Sequence, residues 1–437
     1  PKPFNVGTNY GGATISVNNK EMFIAVKNPV PENAENIDIF STKYEFVTDE
    51  KTGEQSWKWT PLESIGDHIN TALGWEAQPS LSGDGQRLLF AKVDATTIPD
   101  RNGNPSHDLF LCERQADGSW ATPQPISSLN TDGQEKSPFI HSDSKTLYFS
   151  SNGHKGRGGM DIFYCKMNDD GTFTEPKNIG HPINTQEDET GLIVSADGEV
   201  AYFYSRRIEG ARGFDIFSFQ LPEKAKPERV VVLKGSVEDE AGEPVTDARV
   251  KLNYVQSKEI QELDVNEFDG SYATIVNVER GEDVLMSVVK EDLAFNSRVV
   301  ANRDNEKPPS VVKLEVETHP ISTNKAFVIN DIYYSTNSAD IDRSSKLILD
   351  EFALYLQENP SLYIEIRGHT DDVGSDSDNL ALSMDRAFEV KGYLERQGVN
   401  GKRIQAKGFG ESKPMSDNTS EEGRAKNRRT EFVIMKM

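Results

Sequence analysis

The feature that most restricts the fold is an internal repeat in the first half of the chain. The triplet Asp-Ile/Leu-Phe occurs four times, with spacings of 70, 53 and 54 residues, at 38–40, 108–110, 161–163 and 215–217. Each triplet follows a segment with a central turn, and these segments run over 13–23, 79–90, 138–149 and 191–203. Short strands and turns at this period predict a unit of four strands, as in a propeller blade. We therefore predict an all-β propeller with four detectable repeats over residues 1–222.

These repeats resemble the TolB-type and WD-type propellers of Gram-negative periplasmic proteins. Four blades is the low end of the range found in closed propellers, so the sequence leaves the number of blades open. The aspartate recurs in every unit, which is typical of a residue that holds a turn through backbone amides rather than of a functional group. Cys112 and Cys165 occupy equivalent positions in neighbouring repeats, too far apart for a disulfide, and are predicted to be free buried thiols.

A second β region follows a proline-bounded linker at 222–227. Short alternating segments and Gly/Pro/Asp turns, without a helical period, predict a small antiparallel β-sandwich over residues 223–318. This region resembles carboxypeptidase regulatory-like domains, and the resemblance names no ligand. Its default role is that of a spacer or a protein-interaction module.

A charged motif near the C-terminus carries the strongest functional signal. Residues 368–375 read Gly-His-Thr-Asp-Asp-Val-Gly-Ser and follow an alternating segment that predicts a half-buried strand. Thr370 and Asp371 therefore fall in the turn that leaves the strand end. A helix capped by Asp376 or Asp378 is predicted next.

That helix would place polar residues on one side and a core stripe beside them. Asn379, Ser383 and Arg386 follow at helical spacing, and Arg386 points back toward the turn that carries Asp371. The predicted core stripe is Leu380, Ala387, Val390 and Leu394. A carboxylate opposite an arginine fork suits a zwitterion with an ammonium and a carboxylate on one carbon. The alternative is a surface ion pair, which would contribute about 0 to 1 kcal/mol.

Three further signatures accompany this motif, at 330–334, 404–411 and 423–429. Together they resemble the OmpA C-terminal domain family, which binds peptidoglycan non-covalently, and predict an α/β OmpA-like domain over residues 319–437. The resemblance implies that Asp371 and Arg386 grip the amino and carboxylate groups of diaminopimelate in the stem peptide. It also implies that Thr370, Gly374 and Asn379 lie beside that ligand.

Other residues near the motif are weaker candidates. The family's usual Phe-Asp-Phe reads Tyr334-Ser335-Thr336 here, so the resemblance implies no contact from that loop. Arg428 and Arg429 are predicted to line the rim at most, and His369 to be a polar loop residue beside the ligand rather than an acid or base. No metal-ligand spacing, nucleophile elbow or phosphate-binding glycine loop occurs, which predicts a binder without catalysis, metal or cofactor.

The charge is unevenly distributed. Of the net charge of −23, residues 322–437 carry −3, from 16 basic and 19 acidic side chains, so the remainder carries −20. Nucleic acid is excluded as a partner because its binding needs clustered Lys and Arg. The distribution suits a C-terminal domain that approaches an anionic polymer, although a generally acidic solvated surface explains it equally well. No apolar run approaches the roughly 18 residues of a membrane helix.

The order propeller, sandwich, OmpA-like domain resembles the PorE-like envelope proteins of the Bacteroidetes type IX secretion system. That resemblance implies a non-catalytic periplasmic anchor at the outer membrane. It also implies envelope or secretion-system proteins as partners of the propeller and sandwich, and a lipid anchor that this sequence does not show. Two alternatives stay open: an envelope sensor whose propeller binds a soluble ligand, and a propeller hydrolase or lyase acting on glycans.

Overall fold

The computed structural model describes residues 10–30, 33–48, 53–208, 213–278, 281–302, 309–334 and 338–437. The fold is mostly β, with several antiparallel sheets and few helices. The chain forms two compact units. Unit 1 comprises Pro1–Lys234, Ala273–Arg280 and Pro309–Val312, and unit 2 comprises Gly235–Tyr272, Gly281–Pro308 and Lys313–Met437. In the part described, no helix combines the length and the apolar character needed to cross a membrane.

The four sequence repeats form four antiparallel sheets in unit 1, here named repeat sheets 1 to 4. Sheet 1 contains β1 (Tyr10–Ile15), β2 (Glu21–Lys27), β3 (Ile37–Thr48), β4 (Gln55–Trp59) and β5 (Glu63–Ser64). Sheet 2 contains β6 (Trp75–Leu81), β7 (Arg87–Val93), β8 (Asp108–Glu113) and β9 (Gln124–Pro125). Sheet 3 contains β10 (Glu135–Ile140), β11 (Thr146–Ser151), β12 (Asp161–Lys166) and β13 (Lys177–Asn178). Sheet 4 contains β14 (Glu189–Val194), β15 (Val200–Ser205) and β16 (Asp215–Gln220).

The repeated triplet occupies the third strand of every repeat sheet. Its phenylalanine pairs across the sheet with a residue of the second strand, and in sheets 2 to 4 that residue is also phenylalanine: Phe90 with Phe110, Phe149 with Phe163, and Phe203 with Phe217. The ring centroids of these pairs are 6.2, 5.9 and 5.6 Å apart. Cross-strand aromatic pairs of this kind stabilise a sheet beyond simple burial, which explains why the triplet recurs.

An Asn-Thr pair connects each repeat sheet to the next. The Asn130 amide group bonds both the backbone nitrogen and the backbone oxygen of Leu109, at 2.8 and 3.0 Å. The Thr131 hydroxyl donates to Glu135 at 2.8 Å. The same bonds recur in the neighbouring connections, at Asn70-Thr71 and Asn184-Thr185. The motif thus satisfies buried polar groups wherever two repeat sheets adjoin.

The repeated aspartate holds turns, as predicted, in two of the sheets. Asp108 accepts a hydrogen bond from the backbone nitrogen of Ile98 at 2.7 Å, and Asp161 accepts one from the backbone nitrogen of Arg157. In sheet 1 the aspartate accepts instead from asparagine side chains. In these three sheets the hydrogen bonds of the aspartate within the fold therefore explain why it recurs.

The two cysteines are free and buried, which confirms the prediction. Burial raises the pKa of Cys112 and of Cys165 to about 12. Both are consequently protonated, unreactive thiols at neutral pH.

Glu76 makes the stability of unit 1 depend on pH. Its side chain is fully buried, accepts a hydrogen bond of 2.7 Å from Thr71, and lies 3.6 Å from the ammonium of Lys92. Burial outweighs these contacts and raises the pKa of Glu76 from 4.5 to about 7. A raised pKa favours folding when the group is protonated, so this stabilisation is complete below pH 4.5 and is lost as the pH rises through about 7.

We expect Glu76 to contribute a fall of about 2 to 3 kcal/mol in the free energy of unfolding of unit 1 over that pH range, and Glu76→Gln to lack this contribution when its pH profile is compared with that of the intact chain. Urea unfolding monitored by tryptophan fluorescence measures the free energy of unfolding of unit 1 at each pH, because all four tryptophans lie in that unit. Glu113→Gln, at an exposed carboxylate, is the control and should leave the pH profile unchanged. An unaltered profile in Glu76→Gln would contradict the assignment.

The second β region contains two sheets of four strands. Its strands are β17 (Val230–Glu238), β18 (Arg249–Tyr254), β19 (Ile260–Asp264), β20 (Ser271–Asn277), β21 (Val284–Val289), β22 (Ser297–Ala301), β23 (Val311–Lys313) and β24 (Val316–Glu317). One sheet has the order β20-β17-β23 with β24 also paired to β17, and the other has the order β19-β18-β21-β22. On β18 the buried residues alternate along the strand, as the sequence pattern predicts: Val250, Leu252 and Tyr254.

The C-terminal domain is a mixed four-stranded sheet covered by helices. Its elements are β25 (Ala326–Ile329), α1 (Arg343–Glu358), β26 (Tyr363–Gly368), α2 (Asp376–Arg396), β27 (Ile404–Gly408), α3 (Glu421–Asn427) and β28 (Thr430–Lys436). The strand order is β25-β28-β26-β27, with β26 and β27 parallel and the other pairs antiparallel. This α/β arrangement confirms the fold class predicted for the C-terminal part.

Within unit 2 the second β region and the C-terminal domain share one hydrophobic interior. Leu285 of β21 belongs to the same buried cluster as Phe352 of α1 and Phe432 of β28. The ring of Phe295 lies 4.8 Å from that of Phe352, which lies 4.8 Å from that of Phe432. These contacts hold the two regions together by side-chain packing, in addition to the polypeptide that connects them.

Candidate functional site: a charged pocket in the C-terminal domain

The charged motif lies where β26 ends and α2 begins. β26 stops at Gly368, and the loop that follows leads to Ser375, whose hydroxyl accepts a hydrogen bond from the backbone nitrogen of Asp378 at 3.2 Å. Ser375 is therefore the helix cap, and the predicted cap at Asp376 or Asp378 is wrong. Both aspartates lie in the first helical turn, where a carboxylate is favoured by the helix dipole.

Helix α2 turns its polar residues inward at this end. Asn379, Ser383 and Arg386 are all buried, together with most of the predicted core stripe: Ala387, Val390 and Leu394. Leu380, predicted to be part of that core, is 47% exposed. The prediction fails there because Asn379 and Ser383 occupy the inward side of this part of α2, which leaves Leu380 on the outward side.

A pocket of about 400 Å³ opens beside this end of α2. Four of the five predicted site residues line it: Thr370, Asp371, Asn379 and Arg386. Gly374 lies in the adjoining loop, outside the pocket lining. Its φ of +117° is one that residues with a side chain rarely adopt. The structure thus brings the predicted carboxylate and the predicted guanidinium to the same cavity.

The carboxylate of Asp371 is fixed by Arg428. Arg428 Nη1 donates to Asp371 Oδ2 at 2.6 Å, and its Nη2 donates to Glu421 Oε1 at 2.7 Å. The backbone nitrogen of Val373 donates to Asp371 Oδ1 at 3.2 Å. The bonds from Arg428 to the two carboxylates raise its pKa above the ordinary value. In the described residues, then, the ion-pair partner of Asp371 is Arg428 and not Arg386.

Arg386 is a buried cation on the pocket wall. Its Nε donates to the backbone oxygen of Ser338 at 3.1 Å, and its guanidinium carbon lies 4.6 Å from the ring centre of Tyr334. Burial lowers the pKa of Arg386, and the attraction of Tyr334 and Asp371 opposes that shift. Throughout the described part of the chain, no carboxylate lies within ion-pair distance of Arg386. A positive charge is therefore held at the pocket without a direct counter-charge.

The other predicted residues shape the loop. The Asn379 side-chain nitrogen donates to the backbone oxygen of Asp371 at 3.3 Å and to Glu411 at 2.6 Å. The backbone nitrogen of Thr370 donates to the backbone oxygen of Gly410 at 3.1 Å. The hydroxyl of Thr370 is buried and has no partner among the described residues. Asn379 thus holds Asp371 in place, while the hydroxyl of Thr370 is available to a ligand.

His369 and Arg429 lie outside the pocket lining. His369 is buried and stacks on Phe409 with 5.4 Å between ring centres. Its Nε2 lies 3.3 Å from Glu431, which also accepts a hydrogen bond of 2.7 Å from Arg429. Burial acts to raise the pKa of Glu431, but the contacts with His369 and Arg429 outweigh this effect and lower the pKa to about 2. These two residues support the fold behind the loop.

Arg428, Glu421 and Tyr334 are the pocket residues whose contribution the sequence did not reveal. Arg428 was expected at the rim, and the other two were not proposed as contacts. Glu421 and Arg428 are seven residues apart across the short helix α3, and this two-turn spacing is the signal that could have paired them. Ser335 and Thr336, which depart from the family pattern, lie outside the described residues.

The arrangement suits binding of a zwitterion. Asp371 lines the pocket with a carboxylate that can accept from an ammonium group, and Arg386 lines it with a guanidinium that can donate to a carboxylate. Glu421 is already bonded through both oxygens, to Arg428 and to Arg424. Among the described residues, no group of three or more His, Cys, Asp or Glu side chains could hold a metal ion.

Comparison with known proteins identifies relatives of this part of the chain. Residues 333–428 match the OmpA family. Over 104 residues the chain is 39% identical to outer membrane porin F of Pseudomonas fluorescens, a match that covers 24% of this chain and 32% of the porin. Over 103 residues it is 38% identical to the peptidoglycan-binding protein ArfA of Mycobacterium tuberculosis, again covering 24% of this chain and 32% of the relative.

A solved structure also matches. The crystal structure of the peptidoglycan-associated lipoprotein from Burkholderia pseudomallei aligns at 32% identity over 23% of this chain and 86% of that chain, with a TM-score of 0.23. The chain spans about a third of the length of each of the two curated relatives. The C-terminal part of this chain is a domain of the OmpA family.

Proposed function

We propose that the C-terminal domain binds peptidoglycan by holding the diaminopimelate of a stem peptide, and that the chain is a non-catalytic envelope anchor. The observation that carries this proposal is Arg386, a buried guanidinium that lines the pocket without a carboxylate partner among the described residues. The ligand carboxylate supplies that partner, and each charge-assisted hydrogen bond contributes about 1.5 to 3 kcal/mol. Asp371 accepts hydrogen bonds from the ammonium group on the same carbon of the ligand.

The names of the relatives support this proposal. One is named a peptidoglycan-binding protein, another a peptidoglycan-associated lipoprotein, and a third an outer membrane porin. A protein with this domain would work in the periplasm of a Gram-negative bacterium, close to the outer membrane. Its pocket would then face the wall that lies in that compartment.

The remaining regions are proposed to present surfaces to other envelope proteins. The repeat sheets would be the blades of a propeller over residues 1–222, and the second β region a regulatory-like sandwich over residues 223–318. Their charge of −20 keeps them from adhering to the anionic wall. Membership of the type IX secretion system is a hypothesis that rests on domain order, and failure to co-purify with secretion-system proteins from native envelopes would refute it.

The chemistry of the pocket gives a direct test of wall binding. We expect the intact chain to co-sediment with sacculi whose stem peptides contain diaminopimelate, and to stay in the supernatant with sacculi that contain lysine at that position. Lysine keeps the side-chain ammonium but lacks the carboxylate that Arg386 would hold. Equal sedimentation with both walls, or with neither, would contradict the proposal.

A further inference from the structure

The pocket of the C-terminal domain has a buried floor and a more exposed rim. The floor carries Arg386 and Asp371, which are 7% and 8% exposed. The rim is formed by α3 and the residue that follows it, and carries Glu421, Arg424 and Arg428. Their side chains are 69%, 26% and 38% exposed. The rest of a bound stem peptide leaves through the exposed side of the pocket, which α3 borders.

The floor and the rim differ in charge. Arg386 and Asp371 contribute one positive and one negative charge, so the floor is neutral overall. The rim carries two arginines and one glutamate, so its net charge is +1. A zwitterion on the floor leaves this charge unchanged, because its ammonium and its carboxylate cancel. A ligand that complements the rim as well therefore carries a second carboxylate.

Glu421 and Arg424 are already committed to contacts within the rim. Glu421 accepts hydrogen bonds from Nη2 of Arg428 at 2.7 Å and from Nη2 of Arg424 at 2.8 Å. These bonds hold the pKa of Glu421 below its ordinary value. The other nitrogens of Arg424 are also engaged, Nε on Glu421 and Nη1 on the backbone oxygen of Asn418. The positive charge of the rim is therefore offered to a ligand by Arg428.

Arg428 has a donor left for such a ligand. Its Nη1 donates to Asp371 and its Nη2 to Glu421, while its Nε makes no hydrogen bond within the described part of the chain. In the proposed function Asp371 also accepts the ligand ammonium, so that one carboxylate is then shared between two cations. Arg428 loses part of its compensation at that moment, which favours a ligand carboxylate beside it.

We propose that Arg428 binds the second carboxylate of diaminopimelate, on the carbon that does not carry the free ammonium, and that the pocket thereby selects stem peptides that end at this residue. The inference rests on the proposed function and deepens it. In a longer stem the second carboxylate is consumed in the amide bond to the next residue. The preferred ligand is thus the product of a peptidase that removes the residues after diaminopimelate, with the ammonium not used in a cross-link.

Synthetic peptides test this selection on the intact chain by isothermal titration calorimetry. The free acid is L-Ala-γ-D-Glu-meso-diaminopimelate, and the matched peptide carries a carboxamide in place of the second carboxylate. A third peptide extends the free acid by D-Ala. We expect the free acid to bind about tenfold more tightly than either, because only the free acid offers Arg428 a charge-assisted hydrogen bond at that position. Equal affinity of the acid and the carboxamide would overturn the proposal.

A pair of variants tests the assignment to Arg428. Arg428→Gln should remove the difference between the acid and the carboxamide, whereas Lys426→Gln should keep it. Lys426 lies on the same helix, but its side chain is 57% exposed, pairs with Glu422 and is outside the pocket lining. Circular dichroism establishes that both variants are folded. A difference that survives in Arg428→Gln would overturn the assignment.

The same titrations separate this inference from the proposed function. If none of the peptides binds, the proposed function fails and the inference fails with it. If the acid and the carboxamide bind equally, only the inference fails, since the floor then recognises the zwitterion alone. A peptide with D-isoglutamine in place of D-glutamate should bind like the free acid. A loss of affinity in that peptide, with none in the carboxamide, would place the contact on D-glutamate and overturn the assignment to diaminopimelate.

Discussion

Arg386→Ala and Asp371→Ala should each abolish measurable co-sedimentation with diaminopimelate-containing sacculi while leaving the fold intact. Arg386 holds the ligand carboxylate in this proposal, and Asp371 holds the ammonium. Removing one partner of a buried charge pair costs about 2 to 5 kcal/mol, since the other charge is left without compensation. Binding should therefore weaken by a factor between about 30 and a few thousand. Binding isotherms with purified sacculi measure this loss.

Matched variants separate a role in binding from a role in folding. Arg396→Ala removes an arginine of the same helix whose side chain is 60% exposed and paired with Glu389, and should bind like the intact chain. Arg386→Lys keeps the charge but loses the planar fork, so part of the affinity should return relative to Arg386→Ala. Unchanged sedimentation of both alanine variants would mean that the pocket is not the wall-binding site.

The sequence predicted well where the loop that carries Asp371 lies in the fold, because strand and helix patterns fix where a loop begins and ends. The alternation before Gly368 and the helical spacing of Asn379, Ser383 and Arg386 were enough to bring the guanidinium to the loop that carries Asp371. Which residue pairs with Asp371 depends on α3, a short helix that approaches from later in the chain. The hydrophobic period within a segment does not show that α3 comes close to the loop of Asp371, so Arg428 was predicted to lie at the rim of the site.

The fold shows the same division between local and long-range information. The repeats predicted the strands of unit 1, since every repeat must satisfy the same cross-strand pairs and Asn-Thr connections. The shared interior of unit 2 was not predicted. Phe295 and Phe352 belong to regions of different sequence pattern, and nothing in either pattern indicates that the two rings meet.

Phe352→Ala should destabilise all of unit 2 by about 3 to 5 kcal/mol, the typical cost of removing a fully buried phenylalanine. The ring of Phe352 is fully buried between Phe295 of the second β region and Phe432 of the C-terminal sheet. A cavity at this position removes packing from both regions at once. Hydrogen exchange should therefore show faster opening of both β21 and β26, with β11 of unit 1 unaffected.

Leu354→Ala is the control on the same helix, because its side chain is 51% exposed and should cost less than about 0.5 kcal/mol. If Phe352→Ala accelerates exchange in β26 but not in β21, the two regions open independently and the shared interior contributes little to cooperativity. If both accelerate together, the second β region and the C-terminal domain form one cooperative unit. A load applied to the pocket would then pass directly into the second β region, as the proposed anchor role requires.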